Sequence, residues 1–304
     1  KKKIAFGIAA GMILFSALTG CGQTANRPPQ NSKNEPAVTD NKVVLKDIDL
    51  PAKGVVLTGY HQDLHLSPDG KTAAFSGYNY KTPNNTVEYK MVLANLATGE
   101  VKIFDSATRV LGWLPDGSRL LYHYEGSLRI FDPGSGNYRE IARDAWHASI
   151  SPDGRQVAYA PRGKGLFVYD LNSSQTRQLT KDKYDHHPVW YPDGKQLFYF
   201  TDLGKPLGDD AGNLEGMARV SLETGQVDRI GKEEGKFRQA HWLVPGKSLH
   251  IVKGWDDGFY LGILDLEKNK YFDLGENPGG YTYFTQADPK NGRLIVSASG
   301  KVDI

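Results

Sequence analysis

Histidine is the residue whose positions in this chain point most directly to chemistry. Four of the eight histidines, one aspartate and one glutamine stand five or seven residues before a glycine that ends a recurring motif. These six residues are Asp63, His65, His147, His187, Gln239 and His241. Imidazole binds transition metals and exchanges protons near neutral pH, and carboxylate and amide groups hydrogen-bond small ligands. The pattern predicts a polar binding site wherever one surface brings these side chains together.

A water-filled channel lined by ordinary polar groups is the competing interpretation of the same residues. They show no short, fixed spacing of metal ligands, so we expect no metal and no cofactor. His186 directly precedes His187, and neighbours in a strand point to opposite faces unless the strand bulges. We therefore assign His186 a structural role.

Familiar catalytic motifs are absent from the sequence. It has no Gly-x-Ser-x-Gly turn, no His-Glu-x-x-His motif and no glycine-rich phosphate loop that opens a helix. We therefore predict a binding module for a protein, peptide or sugar rather than an enzyme. The alternative is a metal-dependent lyase or hydrolase-like enzyme that uses His65, His147, His187 and His241.

The recurring motif has the composition of a tight turn. Four copies with Pro-Asp-Gly end at Gly70, Gly117, Gly154 and Gly194, and two divergent copies end at Gly246 and Gly292. Successive glycines are 47, 37, 40, 52 and 46 residues apart, a period typical of propeller blades. Proline presets φ, aspartate bonds the local backbone and glycine accepts positive φ, so each copy predicts a turn.

Each repeat unit is predicted to contain four strands. A short strand precedes the turn, and a strand rich in aromatic and β-branched residues follows it, as at 156–159 and 196–200. A second hairpin comes next, as at 217–222 and 226–230. The sequence thus predicts an all-β fold, a six-bladed β-propeller of four-stranded antiparallel blades spanning residues 43–304.

The repeats resemble those of the TolB-like, WD-repeat-like propeller family, whose units carry the turn seen at Ser67-Pro68-Asp69-Gly70. The resemblance covers residues 43–304 and implies the fold. It implies no activity, because the motif is a turn and not a site. The chain is also similar to the YqgU-like six-bladed lipoproteins of Gram-positive bacteria, a group with no assigned activity.

Strand alternation divides the residues before each turn between two faces. Four and six residues before the glycine the side chains are mostly apolar and include Trp113, Trp190 and Trp242, so this face should pack between blades. The polar residues five and seven positions before the glycine share the opposite face. Since the first strand of a propeller blade is the innermost, that face should line the central channel.

Two long loops, 76–89 and 201–216, are expected at the mouth of this channel. They carry aromatic and acidic residues, and the fifth unit adds a tryptophan; the candidate ligand contacts are Tyr78, Tyr80, Asp209, Asp210 and Trp255. Aromatic faces beside carboxylates suit sugars or peptides. Solvated acidic loops are the competing interpretation.

Ring closure is predicted at the two ends of the chain. The sixth unit stops at Ile304 after about two strands, and residues 42–50 and 55–57 could supply the missing ones. Pairing an N-terminal strand into the last blade would remove two open sheet edges. A segment of a larger propeller is the alternative.

The first 20 residues have the composition of an export signal. Three lysines, an apolar stretch over residues 4–18 and small residues precede Cys21. Leu18-Thr19-Gly20-Cys21 resembles the bacterial lipobox, which implies a lipid, with palmitate, on Cys21 and a membrane anchor on the outer side of the cell membrane. An ordinary signal peptide with an incidental cysteine is the alternative. Residues 21–42 are polar and proline-rich, which predicts a disordered tether.

Charge and cysteine content limit the remaining possibilities. The 304 residues include 37 Lys and Arg and 35 Asp and Glu, and three of the lysines lie in the export signal. The rest is near neutral, which argues against a nucleic-acid partner. A single cysteine excludes an internal disulfide, and we expect a monomer.

Overall fold

The computed structural model describes residues 13–14, 62–79, 88–105, 109–206, 213–255, 258–276, 284–288 and 293–297. These segments form strands joined by turns and bends. Within them, no helix has the length and apolar character needed to cross a membrane.

The described strands fall into six groups along the chain. A short strand comes first, β1 (Ile13–Leu14). The first group is β2 (Gln62–Leu66), β3 (Thr72–Asn79), β4 (Glu88–Asn95) and β5 (Val101–Asp105). The second is β6 (Arg109–Trp113), β7 (Leu120–Tyr124), β8 (Ser127–Phe131) and β9 (Tyr138–Arg143). The third is β10 (Ala145–Ile150), β11 (Gln156–Pro161), β12 (Phe167–Asp170) and β13 (Thr176–Gln178).

The remaining strands continue the same pattern. The fourth group is β14 (His186–Trp190), β15 (Gln196–Pro206), β16 (Asn213–Ser221) and β17 (Val227–Gly235). The fifth is β18 (Phe237–Val244), β19 (Ser248–Trp255), β20 (Gly258–Asp265) and β21 (Lys270–Glu276). The last is β22 (Phe284–Asp288) and β23 (Arg293–Ser297).

Each of the first five groups is one four-stranded antiparallel sheet in which neighbours in sequence are neighbours in space. The first strands of successive sheets, from β2 through β6, β10, β14 and β18 to β22, contact one another. The all-β architecture and the four antiparallel strands of a unit are therefore confirmed. The first strand of each sheet is the inner one, as predicted.

The last described sheet has the order β1-β23-β22. Ile13 pairs with Val296 and Leu14 with Ile295, so residues that the sequence places in the export signal lie beside β23. An open strand edge accepts main-chain hydrogen bonds from any extended segment, which is the physical reason such a pairing can form. The segments predicted to close the ring, 42–50 and 55–57, lie outside the described residues, as do Cys21 and the tether.

The copies of the recurring motif that lie within the described residues form the predicted turns between first and second strands. In the first copy Gly70 N donates to Ser67 O over 2.8 Å, while Ser67 Oγ accepts from Thr72 N at 2.9 Å and donates to Asp69 Oδ1 at 2.7 Å. The copy that begins at Ser151 repeats these three bonds. Each turn thus fixes where its two strands start to pair.

The core lies between neighbouring sheets. One buried cluster joins the fourth and fifth sheets through Phe198, Phe200 and Phe237, and similar clusters fill the other junctions from the first sheet to the fifth. Indoles of inner strands also cross the junctions: Trp190 Nε1 donates to Ser149 O at 3.1 Å, and Trp242 Nε1 donates to Trp190 O at 2.7 Å. The expectation that the tryptophan face packs between sheets is confirmed.

A short loop of the third sheet is held against the segment that enters the fourth. Leu166 N donates to Thr180 Oγ1 at 3.0 Å, and Leu179 N donates to Leu166 O at 2.8 Å. Gly165 has a φ of +81°, and a Cβ there would lie 2.4 Å from Thr180 O. Gly163 has a φ of +72° in the same loop, but a Cβ there would meet nothing within 4 Å.

We expect Gly165→Ala to destabilise the protein much more than Gly163→Ala. Both changes place a side chain in the left-handed region, at a cost of about 1–2 kcal/mol. Gly165→Ala must in addition move the backbone of Thr180, because the clash is with a carbonyl oxygen. Urea unfolding followed by tryptophan fluorescence would give the two free energies. Equal losses would show that the loop does not rest on Thr180 in this way.

Candidate functional site

A channel cavity of about 380 Å³ lies between the inner strands. Five of the six polar residues predicted to face the channel line it: His65, His147, His187, Gln239 and His241. Asp63 lies in β2, where only its backbone position is described. The channel part of the predicted site is therefore brought together for every residue whose side chain is described.

A second, larger cavity of about 600 Å³ opens between the third and fourth sheets. Trp146 and His147 line both cavities, so the two adjoin there. The other lining residues mix both signs of charge with an aromatic ring, among them Arg162, Lys183, Tyr184, Asp185, Glu215 and Lys236. We call this space the mouth cavity, since residues of the predicted mouth loop 201–216 line it together with inner-strand residues.

The described parts of the predicted mouth loops are continuations of strands. In 201–216, Asp202 pairs with Glu215 and Pro206 with Asn213, so β15 and β16 extend as a hairpin. The expected long loop is thus corrected, because strand pairing satisfies backbone groups that a loop would leave to water. Asp202, Asn213 and Glu215 from this hairpin line the mouth cavity.

The predicted mouth contacts themselves are only partly within the described structure. Tyr78 lies in β3, paired with Tyr89, and Trp255 ends β19, with only backbone positions described. Tyr80, Asp209 and Asp210 lie outside the described residues. Their role as ligand contacts stays a prediction.

Three histidines converge where the two cavities adjoin. One ligand atom from each of His147, His186 and His187 lies within 4.8 Å of the others. His186 Nδ1 is 2.5 Å from His187 Nδ1, and the rings of His147 and His187 stack with centroids 3.3 Å apart. We call these three residues the histidine cluster.

The membership of this cluster differs from the sets of residues chosen from the sequence. The four histidines proposed for a metal enzyme were His65, His147, His187 and His241. In the described part of the chain, the group with metal-ligand geometry contains His147, His186 and His187, and it contains neither His65 nor His241. His186, which we assigned a structural role, is also a member of the cluster. Pairing of β14 with β15 shifts register between His186 and Val189, and His187 has a φ of +52°. This bulge turns two neighbouring side chains to one side.

Burial keeps two members of the cluster, His147 and His187, uncharged at neutral pH. Desolvation lowers the pKa of His147 and of His187 well below the usual value, and the charges of His186 and Arg109 add to the effect. Both imidazoles are therefore neutral, with nitrogen lone pairs available as acceptors or ligands.

Glu215 fixes the third member of the cluster. Its Oε2 accepts from Phe237 N at 2.8 Å and lies 3.5 Å from His186 Nε2, and its Oε1 lies 3.3 Å from Lys236 Nζ. Burial alone would raise the pKa of Glu215. The hydrogen bond and charge of His186, followed by the hydrogen bond from Phe237 N and the charge of Lys236, hold this pKa below its usual value. The side chain is thus an anion that directs Nδ1 of His186 towards His187.

Asp185 places a second carboxylate beside the cluster. The residue is 4% exposed and lines the mouth cavity, and its Oδ1 has no hydrogen-bond partner among the described residues. Burial raises its pKa, while hydrogen bonds from the Thr180 and Thr201 hydroxyls oppose the shift. An unsatisfied buried carboxylate oxygen is costly unless something in the cavity meets it.

Comparison with known proteins identifies the architecture. No protein-family model matches the chain. A TolB from Agrobacterium tumefaciens superposes with a TM-score of 0.59 at 17% identity, covering 80% of this chain and 91% of its own. The chain folds as a TolB-like β-propeller.

Two further proteins show how far the likeness of this TolB-like propeller extends. The Tol-Pal system protein TolB of Hydrogenovibrio crunogenus is 31% identical over 104 residues, which span 34% of this chain and 22% of that protein. An oligogalacturonate lyase solved in complex with manganese superposes with a TM-score of 0.57 at 13% identity, covering 79% of this chain and 72% of its own. At such identities the structural likenesses establish the fold alone.

Sequence reasoning missed several residues of the propeller's mouth. Trp146 lies at a register shift between Ala145 and His147, and such a shift leaves no mark in strand alternation. Asp185 precedes the first strand of its sheet, and Glu215 reaches the cluster from β16. One signal was available: His187 is followed by Pro188, which cannot donate to a ladder and often marks irregular pairing.

Proposed function

We propose that this protein is an extracytoplasmic β-propeller, anchored by a lipid on Cys21, that acts as a binding or protein-interaction module. The observation that carries the proposal is the meeting of the channel and mouth cavities at Trp146 and His147. Together they offer a concave surface on which polar and charged side chains converge beside an aromatic wall, as in many ligand sites.

A peptide or an oligosaccharide is the ligand class that suits this surface. Trp146 is 53% exposed and Tyr184 is 48% exposed, and both line the mouth cavity, so aromatic surface is available there to a ligand. Arg162, Lys183 and Asp202 supply hydrogen bonds of both kinds around them. The relative from Hydrogenovibrio crunogenus is named as a protein of the Tol-Pal system, which supports an interaction role.

A metal-dependent propeller enzyme is the second candidate, and the histidine cluster favours it. The manganese complex of the structurally similar oligogalacturonate lyase shows that this fold can carry such a site. In this chain the enzyme candidate requires a metal ion at the histidine cluster. Whether the cluster binds a metal therefore decides whether this candidate stands.

Trp146→Ala should weaken ligand binding about tenfold or more, equivalent to about 1.4 kcal/mol, because it removes the ring shared by both cavities. Arrays of short peptides and of oligosaccharides, followed by titration of the best binder, would measure this. Phe272→Ala is the matched control, since Phe272 is also a partly exposed aromatic ring, on an outer strand. Failure of both arrays, or equal loss in the control, would contradict the proposed site.

Lipid attachment at Cys21 predicts the behaviour of Cys21→Ser. A hydroxyl cannot form the thioether, so the variant should remain unprocessed or leave the membrane fraction, and it should lose labelling by radioactive palmitate. The control is Ser32→Ala in the predicted tether, which should leave processing and labelling unchanged. A processed, membrane-bound Cys21→Ser protein would contradict the anchor.

We also propose that the propeller has six blades and that residues 42–50 and 55–57 complete the last one. Removing residues 43–57 should lower the thermal unfolding midpoint and promote aggregation, because open strand edges result. Removing residues 22–40 should change neither, because it only shortens the tether. Equal behaviour of the two deletions would contradict closure by this segment.

A further inference from the structure

We propose that His147, His186 and His187 bind one divalent transition-metal ion of the zinc class, with Glu215 as a positioning residue. The proposal goes beyond the binding role inferred above. It stands on the geometry of the cluster alone, whether or not a peptide or sugar occupies the mouth cavity.

The three imidazoles are placed to share one ion. Their ligand atoms lie within 4.8 Å of one another, and His186 Nδ1 and His187 Nδ1 face each other at 2.5 Å. Tetrahedral ligands about 2.0–2.1 Å from zinc lie about 3.4 Å apart. Small side-chain rotations would therefore replace the direct contact of the two rings with two bonds to a common ion.

Glu215 completes the arrangement expected of a metal-binding histidine. A ligating imidazole usually donates its second N–H to a carboxylate, which fixes its tautomer and orientation. Glu215 Oε2 lies 3.5 Å from His186 Nε2, and Phe237 N and Lys236 Nζ hold the carboxylate in place. His186 is thereby oriented to present Nδ1, the atom that faces His187.

Two further features indicate an ion in an accessible pocket rather than a closed structural site. Asp185 places a second carboxyl group in the wall of the same cavity, and its charge, when ionised, would balance that of a bound cation. Three protein ligands leave a coordination position open, and His147 and His186 both line the mouth cavity through which a fourth ligand can enter.

The donor set also predicts which ions bind. Imidazole nitrogen suits zinc, copper, nickel and iron, whereas calcium and magnesium need several oxygen ligands. Arg109 lies near enough to His147 and His187 to affect their protonation, and its charge weakens the attraction for any cation. Because the cluster supplies nitrogen ligands, calcium and magnesium should not compete with zinc for it. The affinity for zinc should depend strongly on all three histidines.

Calorimetric titration of the full chain, stripped with a chelator, with zinc chloride should give one equivalent of bound zinc that excess calcium or magnesium does not displace. His147→Asn and His187→Asn should each weaken binding at least tenfold. Asparagine tolerates the positive φ of His187. His65→Asn and His241→Asn are matched controls, since both line the channel but lie outside the cluster, and both should bind zinc like the parent protein.

Glu215→Gln tests the positioning role. The amide oxygen can still accept from Phe237 N, so the fold should persist, while zinc affinity should fall about 10–100-fold at unchanged stoichiometry. Cobalt substitution of the parent protein provides a readout independent of any variant, because nitrogen ligation gives visible absorption bands. No stoichiometric zinc, a cobalt spectrum like that of the aqueous ion, or equal losses in the His65 and His241 controls would each overturn the proposal.

Discussion

The shape of the inner strands is the constraint on which the rest of the propeller depends. Each of the five inner strands that begin a four-stranded sheet shifts register against its neighbour at the end away from the turn. The shifts lie at Gln62/His65, Val110/Gly112, Ala145/His147, His186/Val189 and Phe237/Gln239. A bulge leaves one residue out of the strand pairing and increases the local twist. At the end away from the turn, which we call the channel end, the side chains of these five strands can therefore point in directions that regular alternation does not allow.

The two ends of an inner strand consequently serve different purposes. At the turn end, pairing with the second strand is regular in four of the five strands, and the indole bonds of Trp190 and Trp242 tie one sheet to the next. At the channel end, the bulges gather His147, His186 and His187 where regular alternation would have separated them. Stability and the candidate site are thus carried by the same strands, and changes at one end can be made without removing the contacts of the other.

Local chemistry explains why the sheets could be predicted from the sequence. Proline, aspartate and glycine fix each turn within four residues. The strands next to a turn need only alternation, as the predicted strand 156–159 shows, because it lies within β11. Channel residues such as His65 and Gln239 followed from the same alternation. His186, Trp146 and Glu215 did not, because a bulge changes alternation without changing composition, and the contact of Glu215 with His186 joins β16 to β14.

Burial alone does not distinguish a functional histidine in this propeller, as His250 shows. It is fully buried in β19, neither ring nitrogen has a hydrogen-bond partner among the described residues, and desolvation lowers its pKa to about 3. Leaving such a buried group unpaired costs about 1–3 kcal/mol of stability. His250 borders neither the channel cavity nor the mouth cavity. The histidine cluster differs because an oriented carboxylate and an open cavity adjoin it. A ligand can therefore offset the cost of burying its imidazoles, whereas neither cavity reaches His250.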